Sequence, residues 1–155
     1  MVDDAIITDE MRAKIGTTLE PVVFEVEKGA IRRFAQAVED ANPLYADDEY
    51  ARKTPYGGIV CPPGFFGWPV GEAVGMETLI NLVDPPLKNI LNGGNEAEFY
   101  LPVRPGDVLI SYVKLADLYE KTGSTGKMLF TVFEATYKNQ TDQVVAKMRY
   151  TFLFY

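Results

Sequence analysis

Apolar and polar positions alternate most cleanly at the end of the chain, where Val144, Ala146, Met148, Tyr150, Phe152 and Phe154 are separated by polar or smaller residues. A two-residue period is that of a half-buried β-strand, and this last strand, ending YTFLFY, is expected to be exposed and aromatic enough to need cover. Two further long strands are predicted upstream, over 107–121 and 127–139. They are joined by KTGSTGK, and Gln140-Thr141-Asp142 leads into the last strand. Short polar turns imply antiparallel neighbours. NEAEFYLPV, residues 95–103, leads into this block through the turn Arg104-Pro105-Gly106-Asp107. The first half reads differently. LEPVVFEVE, residues 19–27, predicts one strand. Ile31, Phe34, Ala35 and Val38 then recur at the spacing of a helix laid on a core, with Arg32, Arg33, Gln36 and Glu39 on its wet face. Asn42-Pro43 is predicted to end that helix, because the residue before proline avoids the α region.

A short helix is expected over DDEYARKT, capped by Asp47 or Asp48, with Lys53 at its C-terminal dipole end. YGGIVCPPG reads as a loop. In GFFGWPVGEAVGM, residues 64–76, the glycines 64, 67, 71 and 75 share one side of a helix buried among large apolar residues, with a bend or late start at Pro69. Residues 77–95 read as a connecting segment. The order strand, helices, buried helix, long strands predicts a single α+β domain over 1–155, its sheet wrapped on a helix to bury both apolar faces.

Composition narrows the chemistry. The formal net charge is −7 and no basic stripe is visible, which argues against a nucleic-acid partner. No apolar run approaches the ~20 residues that span a bilayer, so no membrane partner is expected. The acidic start MVDDAIITDEM has the wrong sign for a secretory address, and a lone Cys61 fits a reducing, cytoplasmic home. The chain contains no histidine, which excludes Ser-His-Asp and Cys-His catalysis within it and His-ligated zinc. No metal site is expected.

Three patches carry a family resemblance: FAQAVEDANPLYADDEYA at 34–51, YGGIVCPPGFF at 56–66, and LPVRPGDVL at 101–109 with the strand ending YKNQTDQVVAKMRYTF. In this order they resemble the MaoC-like branch of the hot-dog fold, which contains (R)-specific enoyl-CoA hydratases and 3-hydroxyacyl dehydratases. The resemblance implies an antiparallel sheet wrapped around a central buried helix, and addition or removal of water on an acyl thioester. Active members read Asp-x-Asn-Pro-x-His in the first patch. Here those positions hold Asp40, Asn42 and Pro43, with Tyr45 where the histidine would stand. A phenol near pKa ~10 is a poor general base at neutral pH, although it can donate a hydrogen bond. Where active members carry His-Gly before the buried helix, this chain has Cys61-Pro62, and proline has no N–H to offer a thioester oxygen. Gly64 supplies the nearest replacement amide.

Asp40, Asn42 and Tyr45 are therefore the candidate catalytic positions. Gly58, Ile59, Val60, Cys61, Pro62, Gly64 and Phe65 are the candidate substrate-binding positions. The resemblance implies no separate cofactor, coenzyme A or an acyl carrier thioester being part of the substrate. It also implies a homodimer, or a heterodimer or heterotetramer with another MaoC-like subunit. The pattern is similar to the His-lacking subunit of 3-hydroxyacyl dehydratases, in which the partner supplies Asp and His. Two alternatives stand beside it: a self-sufficient hydratase or acyl-CoA thioesterase using Asp40, and an acyl-CoA-binding module without chemistry. Cys61 reads as a small apolar filler, and Arg104 as a solvated turn residue.

Overall fold

The computed structural model describes residues 5–66, 74–124 and 126–155. A short helix α1 (Asp9–Ala13) is capped by the Thr8 side chain, which accepts from the Met11 amide. Strand β1 (Val22–Glu25) and helix α2 (Lys28–Ala37) follow. A 3₁₀ turn at Pro43–Tyr45 precedes helix α3 (Asp48–Arg52), and a second spans Pro63–Phe66. Helix α4 (Met76–Val83) leads to β2 (Ile90–Phe99), β3 (Val108–Gly123), β4 (Gly126–Lys138) and β5 (Val144–Phe154).

All pairings are antiparallel, and the sheet order is β1-β3-β4-β5-β2. Along β4 the residues Leu129, Thr131, Phe133, Ala135 and Tyr137 point to the core and are buried. The opposite face carries charge. Glu134 lies between Lys114 of β3 at 3.0 Å and Arg149 of β5 at 3.3 Å. This division follows from the two-residue period of the strands. From the helical side Ile31 of α2 and Leu79 and Val83 of α4 join the same core, and Ala35 of α2 is buried as well. Each large apolar side chain so buried contributes roughly 1.5–3 kcal/mol. The amino-terminal segment closes one end of the core. The Ile7 amide donates to Glu120 Oε1 at 2.6 Å, and Ile7 and Met11 are buried beneath it.

Four expectations need correction. Helix α2 stops at Ala37, well before Asn42-Pro43: Val38 is its C-cap and Glu39 takes a left-handed φ of 56°. Val38 consequently leaves the buried stripe and is 54% exposed. The first strand covers only 22–25, because Val26 and its neighbours instead bond to the 104–107 turn. Residues 77–95 are not merely a connection, since α4 and the first half of β2 occupy them. A run of ten residues rich in Asn, Gly and Glu lacks a strand's usual composition, and pairing with β5 overrides it. The last strand, expected to be exposed, instead lies inside the sheet between β4 and β2.

β2 is therefore an edge, exposed along almost its whole length. It carries a bulge between Asn92 and Gly94. A Cβ at Gly93 would lie 3.2 Å from the Thr151 carbonyl oxygen, so a side chain there would crowd the backbone of β5. Most of the buried helix expected over 64–76, including Gly67, Trp68, Pro69 and Gly71, lies outside the described residues.

Candidate functional site

The segment after α2 is held by two side-chain-to-backbone turns in succession. Asp40 Oδ1 accepts from the Asn42 amide at 3.0 Å, and Asn42 Oδ1 accepts from the Leu44 amide at 3.0 Å. Asn42 thereby caps the 3₁₀ turn that presents Tyr45, with Pro43 supplying the fixed φ of its first position. Asp47 then caps α3 through the amides of Glu49 and Tyr50. Tyr45 is partly buried. Burial pushes its phenol up from the ordinary value, and the Asp40 carboxylate and Tyr56 push it further. At neutral pH it is a hydrogen-bond donor and not a base.

The loop after α3 crosses to the sheet. The Cys61 amide donates to the Val103 carbonyl at 2.8 Å. Beside this contact lies an open cavity of about 310 Å³ lined by Leu44, Tyr45, Tyr56, Val60, Cys61 and Phe99, together with Tyr100 and Leu101. Burial pushes the Cys61 thiol up to about 12, with Asp107 adding to the rise. The thiol is protonated at neutral pH and serves as wall, as a small apolar residue does.

The candidate residues fall into three groups. Tyr45, Val60 and Cys61 meet at this cavity, while Ile59 meets Tyr45 at a second one. Pro62 and Phe65 are buried behind them, and Phe65 packs edge-to-face on Phe34 with centroids 5.9 Å apart. A Cβ on Gly64 would come within 3.0 Å of the Phe34 ring, so that ring occupies the space a side chain would need. Gly58 lies beneath the Arg104 guanidinium, whose Nη1 would be 3.6 Å from a Cβ there. Asp40 and Asn42 are exposed, and the hydrogen bonds just described use them as turn formers. Sequence reading missed Tyr56 and the Phe99-Tyr100-Leu101 run. The available signal was an aromatic cluster directly after a charged, otherwise apolar-poor strand. The exposures of 45%, 49% and 38% for that run mark it as surface in need of cover.

Among the described residues, no cluster of acidic, Cys or His side chains is arranged to hold a metal, and no helix is long and apolar enough to cross a membrane. The fold is that of an α+β hot-dog domain. The chain belongs to the family of the FAS1-like dehydratase domain region, whose model matches residues 13–148. It is 30% identical over 136 residues to a probable enoyl-CoA hydratase alpha subunit of Thermomonospora curvata, covering 79% of this chain but 43% of that relative. Its fold is similar to that of the ChsH1-ChsH2 complex of Mycobacterium tuberculosis, with TM-score 0.79, 22% identity, and 94% and 88% of the two chains covered. It is also similar to the C-terminally truncated HadBC (3R-hydroxyacyl-ACP dehydratase) complex of the same organism, with TM-score 0.76, 21% identity, and 90% and 96% covered.

Proposed function

We propose that this chain is the acyl-binding half of a heteromeric enoyl-thioester hydratase or 3-hydroxyacyl-thioester dehydratase, its partner being a MaoC-like subunit that carries an intact Asp/His pair. Tyr45 carries this reading. It occupies the position where the family motif has histidine, and its surroundings keep the phenol protonated. Addition of water to an enoyl thioester needs a base for the water, an acid for the α-carbon, and donors for the thioester oxygen. A protonated Tyr45 can orient a water or the thioester by hydrogen bonding but is a poor base for the water. Pro62 and Pro63 bring no amide to the loop where such a donor would be sought. The cavity beside Tyr45 is mostly apolar and suits an acyl chain.

The exposed β2 edge and the adjacent Phe99-Tyr100-Leu101 surface supply what a partner would cover. The heteromeric relatives named above support a partnered assembly over a homodimer. A thioester of coenzyme A or an acyl carrier is the substrate, with no further cofactor, in a reducing cytoplasm. Asp40 as a lone catalytic carboxylate is the weaker reading, because it is exposed and already accepts the Asn42 amide.

The purified chain is expected to hydrate crotonyl-CoA and longer enoyl-CoAs at the rate of a buffer blank. Co-expression with a MaoC-like subunit bearing the intact motif is expected to give hydration. Robust hydration by the chain alone would refute the assignment, and release of thiol from acyl-CoA that vanishes in Asp40→Asn would establish the lone-carboxylate reading instead.

A further inference from the structure

Tyr45 is a wall shared by two cavities. One is the apolar cavity beneath Val60 and Phe99. The other, also about 310 Å³, lies on the far side of the tyrosine between the first turns of α2 and the second loop, and is lined by Lys28, Gly29, Arg32, Ala46 and Ile59. Its lining is mixed and includes two cationic side chains. Lys28 is ion-paired with Asp48, which fixes one side of the opening. Arg32 has an exposed guanidinium with no ion-pair partner among the described residues. Arg33, the next residue of α2, lines a separate groove with Ala30, Phe34 and Val38, so Arg32 is the guanidinium of this cleft. In a chain of net charge −7, cations gathered beside an apolar cavity are a local exception.

We infer that this cleft is the anion subsite of an amphipathic ligand, with Arg32 binding a phosphate of the thioester's carrier arm while the acyl chain enters the cavity across Tyr45. The inference rests on the thioester reading above and assigns the head-group end of the same site. A guanidinium forms strong, charge-assisted bonds to phosphate, often two at once. Phosphate on a nucleotide and phosphate on the pantetheine arm present the same chemistry, and the probes below separate them.

The test is titration calorimetry on the full chain with dodecanoyl-CoA, dodecanoyl-4′-phosphopantetheine and the uncharged S-dodecanoyl-pantetheine. The wild type should bind the phosphorylated probes more tightly than the uncharged one. Arg32→Ala should weaken the phosphorylated probes about tenfold and leave the uncharged probe within twofold, while Arg32→Lys restores part of the loss. Arg52→Ala, at the end of α3, should change nothing. Loss confined to the CoA probe places the anchored phosphate on the nucleotide, and loss with both places it on the pantetheine arm. Equal affinity of the wild type for charged and uncharged probes, or an Arg32→Ala effect equal for both, overturns the anion subsite and leaves the thioester reading standing. Absence of binding to all three overturns both.

Discussion

Tyr45 and Cys61 show how burial assigns roles that residue type alone leaves open. Both are ionisable, both face one cavity, and both are held neutral by it. For the thiol the consequence for stability has a definite sign. Its folded value of about 12 exceeds the ordinary value of 9.0, so the unfolded chain releases its proton first as pH rises. Stability from this group is whole below pH about 9 and falls as pH climbs towards 12. Urea titrations between those limits should show a shallower decline in Cys61→Ala than in wild type. Native Cys61 should also react with a maleimide at pH 8 at least about a hundredfold more slowly than in urea, because the thiolate is the reacting species. A different residue-scale test concerns the core. The Thr131 hydroxyl is fully buried and has no hydrogen-bond partner among the described residues. Thr131→Val keeps the shape and removes an unmet polar group, so it should raise the urea-derived stability by about 1 kcal/mol. A fall of that size would show that the hydroxyl has a partner.

Elements were legible in proportion to how far their own residues determine them. β3, β4 and β5 could be read because each buries one face, which stamps a two-residue period on the sequence. Helix α3 was readable through its Asp47 cap. The end of α2 was not, since nothing local in Val38-Glu39 announces a left-handed turn, and Asn42-Pro43 offered a plausible but later stop. β2 was illegible in its first half because an edge strand exposed on both faces has no burial pattern to print. The same reasoning limited the site. The motif placed Tyr45 and the 58–65 loop together, but the cavity's far wall comes from the end of β2, whose position depends on pairing with β5. β2 also supports a direct test. Gly93→Ala drives a methyl towards the Thr151 carbonyl and should cost about 1–3 kcal/mol, read as a lowered urea midpoint. Asn42→Ala removes the cap of the turn that presents Tyr45 and should cost about 1 kcal/mol.

At the scale of the whole molecule, the two faces of the sheet have different tasks. The inner face supplies the core, while the outer face is crossed by the Lys114–Glu134–Arg149 ion pairs and keeps that surface in water. Exposed at one side of the sheet are the β2 edge and the aromatic run that follows it, and at the other side Val23 of β1. In hydrogen exchange on the isolated chain, alternate amides of β2 should exchange fast while those of β4 and β5 are protected. A bound MaoC-like partner should slow the β2 amides, and unchanged exchange there would direct attention to a different contact surface.

The Ile7–Glu120 hydrogen bond spans 113 positions of the chain. During synthesis the first of these two residues leaves the ribosome long before the second exists, so the amino-terminal segment must wait unanchored until β3 has been made. A segment made before the sheet is thus fastened there only when β3 arrives, and any delay in translation between them prolongs the exposure of Ile7 and Met11 to chaperones and proteases.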